Sequence, residues 1–335
     1  MKKNFLILTI TLLILFCLSE IFFRIFYPIN SQSWYAEIID EKKNFVALKK
    51  NHYHKIDRWN YKYYTSYNLG EFRNRVTQKI GQDKDKILIL GDSFTFGLFL
   101  KNEDTYIDKL QNEFKNFNLI NSSTPGWGLE DYYMFTKNFC NIINPKKTIV
   151  ILNDGDLGRI KDKVIKINNT KKSLKEKYRV YKFFIENFMT ISFLRESIYK
   201  IINYEKNIPQ EEFEGTNIYF DPSTAKEVVK DSKKIFLLLR DISNDCNSSL
   251  YIINLGWNYN ISEDKKLSDP MYLLLNDEID FFKKNEINFF DNKNYLKHIN
   301  NNKQKYIIKN EGHPNEHGAD EIFKSLLIHF TKILT

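Results

Sequence analysis

Two distant stretches of the chain carry residues that could together perform acyl transfer. The run Gly91-Asp92-Ser93 follows the apolar residues 86–90 directly. A glycine lets the chain turn off a strand, and a serine entering a helix presents its hydroxyl with its own N–H near developing negative charge. An ordinary helix N-cap is the alternative for Ser93. The run is not a G-x-S-x-G elbow, because Thr95 stands where that motif has its second glycine.

A histidine near the carboxyl end is the natural base for this serine. His313 precedes Pro314, which fixes the local chain, and Asn315, which can cap the last amphipathic stretch. Glu311 could hold the imidazole tautomer, and without such a group the pair would act as a weaker dyad. His317 could share a metal with His313 only with more donors than the nearby sequence supplies, so we predict no metal site.

Five short apolar runs alternate with amphipathic stretches around these residues. The runs span 86–90, 117–121, 148–152, 250–255 and 287–291, and the helix-length stretches span 104–115, 128–143, 225–243, 272–284 and 316–334. Continuous apolar strands are buried on both faces, so the pattern predicts an α/β protein with a parallel sheet covered on both sides. Ligands meet such sheets at the carboxyl ends of the strands, which is where Ser93 stands.

Two further regions flank or interrupt this pattern. Residues 28–85 are polar and aromatic with little periodicity, which predicts a stalk and lead-in before a domain over 86–335. The interval between the third and fourth runs exceeds what one crossover helix needs, so we predict a helical insertion at about 160–222. Its apolar stripe, 183–204, is interrupted by charged residues, and we expect it to pack on the domain or a partner rather than enter a membrane.

The amino-terminal residues 1–27 have the pattern of a membrane anchor. Lys2 and Lys3 precede an uncharged, mainly apolar run that approaches bilayer length if Glu20 lies near the outer headgroups. No A-x-A cleavage site follows, which favours an uncleaved transmembrane helix over a cleaved signal. The lysines place the amino end inside, so the rest of the chain is expected on the periplasmic or outer side of a bacterial inner membrane.

The overall composition excludes several classes of protein. With 335 residues, 12 Gly and 7 Pro, the chain is neither collagen-like nor wholly disordered. The net charge of +8 is dispersed, so we predict no nucleic-acid partner. No Gly-rich phosphate loop is present. Cys17, Cys140 and Cys246 lack C-x-x-C spacing, so we expect three small buried hydrophobic residues, or at most one disulfide.

Together these motifs resemble the SGNH (GDSL-type) hydrolase superfamily, and in particular its single-pass, membrane-anchored bacterial members. The matching blocks are Gly91–Ser93, the NSSTPGWG run at 121–128 and the GHPN run at 312–315. The resemblance covers about 86–155 and 250–334. It implies a three-layer α/β/α sandwich with a five-stranded parallel, flavodoxin-like sheet. It also implies Ser93 as nucleophile, His313 as general base, and the N–H groups of Ser93 and Gly126 as oxyanion donors.

The chain departs from the family pattern at two positions. After the third strand the family usually has an Asn-Asp pair. In this chain that pair aligns either with Asn153-Asp154 or with Gly155-Asp156, and we favour Asn153 as the further oxyanion donor over a simple Asx turn. The family places an Asp three or two residues before the histidine, whereas this chain has Asn310 and Glu311. Glu311 is the only charged choice, so the resemblance assigns it as the triad acid.

The resemblance implies a cofactor-free serine esterase, or an O-acyl (acetyl) hydrolase or transferase. Its substrate would be an extracytoplasmic ester, on a small molecule or on an acylated cell-surface polysaccharide. A catalytically inactive carbohydrate-binding or assembly protein on the same fold is the alternative, because a fold does not determine function.

Overall fold

A computed structural model describes residues 2–26, 36–40, 43, 45–58, 63–76, 83–159, 188, 190–191, 193–194, 197–198, 219–257, 262–308 and 312–335. The chain forms two compact units. The smaller comprises Met1–Tyr35, Lys55–Tyr64 and Asn169–Glu212. The larger comprises Ala36–His54, Thr65–Asn168 and Phe213–Thr335.

The amino-terminal part begins with a long apolar helix. Helix α1 spans Lys2–Phe26, and its segment Asn4–Ile25 is long and apolar enough to cross a membrane. Two two-stranded sheets follow, formed by β1 (Ala36–Asp40) with β2 (Phe45–Leu48) and by β3 (His52–Arg58) with β4 (Tyr63–Leu69).

The lead-in is therefore more regular than its sequence predicts. Phe45, Ala47 and Leu48 of β2 are buried, and Phe45 lies 5.9 Å from the ring of Trp127 in the domain core. Strands β3 (HYHKIDR) and β4 (YYTSYNL) mix polar and aromatic residues without an apolar run or a strict alternation, so no pattern in the sequence marks them.

A five-stranded parallel sheet forms the centre of the larger unit. Its strands are β5 (Asp85–Leu90), β6 (Phe117–Asn121), β7 (Lys147–Leu152), β8 (Ser249–Asn254) and β9 (Asn288–Asp291). They lie in the order β6-β5-β7-β8-β9, and each neighbouring pair is parallel. Counted within the sheet, this is the 2-1-3-4-5 order of flavodoxin-like folds.

Helices cover both faces of this sheet. They are α2 (Ser93–Phe96), α3 (Tyr106–Glu113), α4 (Leu129–Ile143), α5 (Pro222–Asp245), α6 (Pro270–Asp277), α7 (Asp280–Lys284) and α8 (Glu316–Leu334). Successive β5 side chains enter opposite cores, with Leu88 and Leu90 in one and Ile87 and Ile89 in the other. The α/β prediction with a sheet buried on both faces is confirmed.

Two details of the helices differ from the sequence pattern. The predicted helix over 272–284 is two helices, α6 and α7, because the chain leaves the helical path at Glu278 while apolar residues on both sides still reach one core. Most of the predicted insertion at 160–222 lies outside the described residues, so a helical cap there remains a prediction.

The cysteines are not three separate buried hydrophobic residues. Cys140 in α4 and Cys246 directly after α5 form a disulfide, with their Cα atoms 6.1 Å apart, whereas Cys17 on α1 is exposed. Helices α4 and α5 pack against each other, which brings the two cysteines together although 106 positions separate them in sequence. This juxtaposition is tertiary, so the spacing of the cysteines gives no sign of it.

Candidate active site

The turn after β5 presents Ser93 at the start of a one-turn helix. Asp92 caps this helix, and its Oδ1 accepts a hydrogen bond of 2.9 Å from the backbone N–H of Phe94. A Cβ on Gly91 would lie 2.2 Å from Thr95 Oγ1, so only glycine allows this turn. Ser93 is the first helical residue, and the N–H groups of a first helical turn have no partner within the helix.

His313 reaches this serine from the far end of the chain. Its Nε2 lies 2.9 Å from Ser93 Oγ, across a sequence separation of 220 residues. The imidazole stands between two aromatic rings, those of Phe94 at 5.3 Å and Phe99 at 5.6 Å between centroids. A hydroxyl and an imidazole at this distance can exchange a proton.

The loop that carries His313 is fixed on both sides. The backbone N–H of Ile308 donates to the His313 carbonyl at 2.8 Å. Asn315 caps α8, with its Oδ1 accepting from the N–H of Gly318 at 2.9 Å, as its position in the sequence predicts. Glu311 lies outside the described residues, and its assignment as the triad acid remains a prediction.

Gly126 lies in a loop that is bonded to the serine turn. The N–H of Thr124 donates to the Gly91 carbonyl at 3.1 Å, and Asn121 Nδ2 donates to the Thr95 carbonyl at 2.9 Å. Gly126 has a φ of +84°, a conformation that favours glycine, and a Cβ there would meet nothing within 4 Å. Gly126 therefore faces open space beside a loop bonded to the Ser93 turn.

Asn153, the favoured residue after the third strand of the sheet, contacts the Gly-Asp-Ser run. It directly follows β7, is buried, and its Nδ2 lies 3.2 Å from Asp92 Oδ2. Asp156, the other aligned acid, is held elsewhere: its Oδ2 accepts from the Tyr132 hydroxyl at 2.6 Å and from the Asn153 backbone N–H at 2.9 Å. The amide of Asn153 thus lies beside the serine turn, whereas the Asp156 carboxylate bonds to helix α4.

A partly buried arginine that sequence reasoning missed connects these segments. Arg159 donates to Asp156 Oδ1 at 2.8 Å, to Asp92 Oδ2 at 3.3 Å, and to the carbonyl of Trp127 next to Gly126. Both carboxylates are fully buried. Burial opposes the charge of Arg159, but Asp156 and Asp92 outweigh it and raise the pKa of Arg159 above its ordinary value. Arg159 follows the Asn153–Asp156 segment and belongs to no motif in the sequence.

A second missed arginine supports the end of the serine helix. Arg75 is buried, and its guanidinium donates to the carbonyls of Phe96 at 2.8 Å, Gly97 at 2.6 Å and Leu100 at 2.6 Å while lying 4.3 Å from the Tyr67 ring. Burial lowers the pKa of Arg75 to about 10, which still leaves it charged at neutral pH. The sequence places Arg75 in the lead-in, where no pattern connects it to the site.

Two other histidines have partners of their own, away from His313. His298 Nε2 pairs with Glu321 at 3.0 Å on the surface, and His329 Nε2 lies 3.2 Å from Asn292 Oδ1 in the core. No group of three metal-ligating side chains occurs among the residues that the structure describes.

The three matching blocks lie at the carboxyl ends of β5 and β6 and directly before α8, and the sheet has the expected strand order. The larger unit therefore has the flavodoxin-like fold with a five-stranded parallel sheet that the resemblance implies. No family model and no curated protein match the sequence.

Several solved structures are similar to this chain. TesA has 10% identity and a TM-score of 0.44, with 74% of this chain and 99% of that chain covered. The esterase EstA from Pseudoalteromonas sp. has 13% identity and a TM-score of 0.43, with 75% and 99% covered. A member of the lipolytic G-D-S-L family from Veillonella parvula has 13% identity and a TM-score of 0.42, with 74% and 98% covered.

Proposed function

We propose that the protein is a serine esterase, or an acyl-transferring relative, that works through an acyl-enzyme. The contact of 2.9 Å between Ser93 Oγ and His313 Nε2 is the observation that carries this proposal. It joins a hydroxyl at a helix amino end to an imidazole at the carboxyl edge of a parallel sheet, where α/β enzymes place their sites.

In the proposed reaction, His313 takes the Ser93 proton while Oγ attacks the ester carbonyl carbon. The negative charge that forms on the carbonyl oxygen is stabilised by the N–H groups of Ser93 and Gly126 and by the amide of Asn153. His313 then gives the proton to the leaving alcohol as its bond to carbon breaks, and the acyl group stays on Ser93. A water or a second hydroxyl, deprotonated by His313, releases the acyl group and restores the serine.

We further propose that α1 anchors the catalytic unit on the outer side of a bacterial inner membrane. Lys2 and Lys3 before the apolar run favour this orientation. The disulfide between Cys140 and Cys246 supports it, because disulfides persist in oxidising compartments and are rare in the cytosol. An ester on that side, such as an O-acyl group of a cell-surface polysaccharide, is the substrate class that fits.

The test uses the full chain purified in detergent, with a fluorophosphonate probe and p-nitrophenyl acetate. We expect the probe to label the protein and Ser93→Ala to abolish both labelling and ester hydrolysis. His313→Gln, which lacks the base, should slow both by roughly 10²- to 10⁴-fold. Ser232→Ala is the matched control, because its hydroxyl is also buried but bonds to the Val228 carbonyl in α5.

The same experiment separates this proposal from a non-catalytic glycan-binding protein. A folded chain that takes up no probe and hydrolyses no ester, yet binds glycans, would contradict the esterase. Labelling that persists in Ser93→Ala would move the nucleophile to another residue. Acetate released from an acetylated polysaccharide, against transfer to a second sugar, distinguishes hydrolysis from acyl transfer.

A further inference from the structure

The imidazole of His313 packs against two aromatic rings that belong to the serine loop itself. Phe94 lies next to Ser93, and Phe99 follows the one-turn helix α2; their ring centroids are 5.3 and 5.6 Å from that of His313. The Phe99 ring meets the imidazole at 80°, nearly a right angle, and Phe99 is buried. The loop after β5 therefore supplies both the proposed nucleophile and the two surfaces against which its base packs.

Phe99 has a backbone conformation that its side chain disfavours. Its φ is +69°, in the left-handed region, where a bulky residue is a rare exception. Such a conformation costs free energy and persists only where the surrounding structure fixes it. Residues held in this way cluster at functional sites, so the strain at Phe99 points to a role for its ring.

A hydroxyl from the lead-in holds this strained backbone. The Tyr67 hydroxyl in β4 accepts a hydrogen bond of 2.8 Å from the backbone N–H of Phe99. Tyr67 is fully buried, and the centroid of its ring lies 4.9 Å from that of Phe96 and 4.3 Å from Arg75 Cζ. Because a buried donor without an acceptor is unfavourable, the Tyr67 hydroxyl keeps the Phe99 N–H in one place.

Arg75 secures the same turn on both sides of Phe99. Its guanidinium donates to three carbonyls of the turn, those of Phe96, Gly97 and Leu100. The backbone N–H of Leu98 donates to the Ser93 carbonyl at 3.0 Å, which joins the turn to the serine. A continuous set of contacts thus runs from β4 of the lead-in, through Phe99, to the imidazole of His313.

We propose that Phe99 is a positioning residue for His313. Its ring, which Tyr67 and Arg75 fix in place, keeps the imidazole turned so that Nε2 faces Ser93 Oγ. A histidine ring rotates about χ2 in broad wells, so flat neighbours decide its orientation. Proton transfer needs the two atoms within hydrogen-bond reach, and a displacement of about 1 Å can slow a reaction by about 100-fold. This role rests on the proposed function of Ser93 and His313.

The test measures the rate at which a fluorophosphonate probe labels the full chain purified in detergent. Phe99→Leu keeps an apolar side chain but removes the flat ring, and we expect it to slow labelling by about 10- to 100-fold. With p-nitrophenyl acetate, kcat should fall and KM should stay close to that of the parent, since the ring acts on the base. Phe236→Leu is the matched control and should label like the parent, because Phe236 is a fully buried ring of α5 that packs at 5.2 Å on Phe282 of α7.

A double-mutant comparison separates positioning from a general loss of structure. In a His313→Gln background the ring has no imidazole to orient, so adding Phe99→Leu should change the residual labelling rate by less than about twofold. Equal slowing in both backgrounds would mean that Phe99 supports the serine turn itself, and would overturn its role through His313.

Tyr67→Phe tests the link to the lead-in, and it carries the test if Phe99→Leu does not fold. It deletes one hydroxyl and keeps the ring, so the Phe99 N–H loses its acceptor. Labelling should slow several-fold in the parent and stay unchanged in the His313→Gln background. Thr148→Val is its control, because it removes a buried hydroxyl, 2.9 Å from Ser248 Oγ, near the amino end of β7. Equal rates for Tyr67→Phe and Thr148→Val would overturn positioning by Tyr67 through Phe99.

Failure of this role and failure of the proposed function give different results. A parent chain that takes up no probe would overturn the serine mechanism, and the role of Phe99 with it. A labelled parent that slows in His313→Gln but not in Phe99→Leu would overturn the role of Phe99 alone.

Discussion

Among single residues, Arg159 connects the most parts of the site. It is the cation shared by two fully buried carboxylates, Asp92 of the Gly-Asp-Ser run and Asp156 after β7. It also bonds to the carbonyl of Trp127, next to the proposed oxyanion donor Gly126. Removing one partner from a buried ion pair leaves the other charge uncompensated, and this costs more than the pair itself contributes.

We therefore predict that Arg159→Met lowers the free energy of unfolding by about 3–5 kcal/mol. Labelling of Ser93 should also slow, because the Asp92 cap loses its cation. Urea denaturation followed by tryptophan fluorescence measures the first effect, since Trp127 and Trp257 are buried. Arg240→Met is the control: its side chain is 30% exposed, and its guanidinium pairs with the exposed Asp241 and donates to the Asn285 carbonyl, so a loss of about 1 kcal/mol or less is expected. An equal loss in both variants would contradict the network.

The residues of the site differ in how far the sequence revealed them. Ser93 and His313 stand in short runs that match blocks of a known family, so the resemblance predicted their meeting. The roles of Arg75 and Arg159 could not be predicted, because an arginine in a polar segment is ordinary on a surface. Their burial depends on tertiary contacts that no local pattern encodes.

Among the elements, the strands were the most predictable. The predicted run 117–121 coincides with β6, and the predicted stretch 316–334 coincides with α8. Both signals are strong because burial on two faces gives continuous apolar strands and an amphipathic helix gives a 3.6-residue period. Strands β3 and β4 mix polar and aromatic residues and carry neither signal.

Helix α8, which follows the His313 loop, contains a pH-sensitive contact. His329 is buried and lies 3.2 Å from Asn292 Oδ1, and the amide of Asn292 donates to Ser325 Oγ at 2.9 Å. Burial, and then Lys332, lower the pKa of His329, while Asp291 opposes them. The folded state therefore resists protonation of this imidazole.

The sign of the pH effect follows from this shift. Below the ordinary histidine pKa of 6.5, the unfolded chain binds a proton that folded His329 does not, so stability falls as pH falls. We predict that His329→Gln removes part of this slope in urea midpoints measured from about pH 7.5 to about pH 5. Parallel slopes for His329→Gln and the parent would contradict the prediction.

At the scale of the whole molecule, the proposed chemistry and the proposed membrane anchoring belong to different parts of the chain. The Ser93 and His313 contact belongs to the larger unit, whereas α1 belongs to the smaller one. The larger unit therefore contains both groups that carry the proposed proton transfer. Under the proposed anchoring by α1, the place of that reaction depends on which side of the membrane the larger unit folds.

The disulfide reports on that side, because it links α4 to the end of α5 within the larger unit. We predict that the full chain, acid-quenched in bacterial cells, denatured and treated with a maleimide polymer, gains one adduct, at Cys17. Prior reduction should give adducts at all three cysteines, which is the control. Three adducts without reduction would place the larger unit in a reducing compartment.

In the purified protein, Cys140→Ser with Cys246→Ser should lower the free energy of unfolding by about 2–5 kcal/mol, because a long loop is no longer closed in the unfolded chain. Cys17→Ser should leave it unchanged.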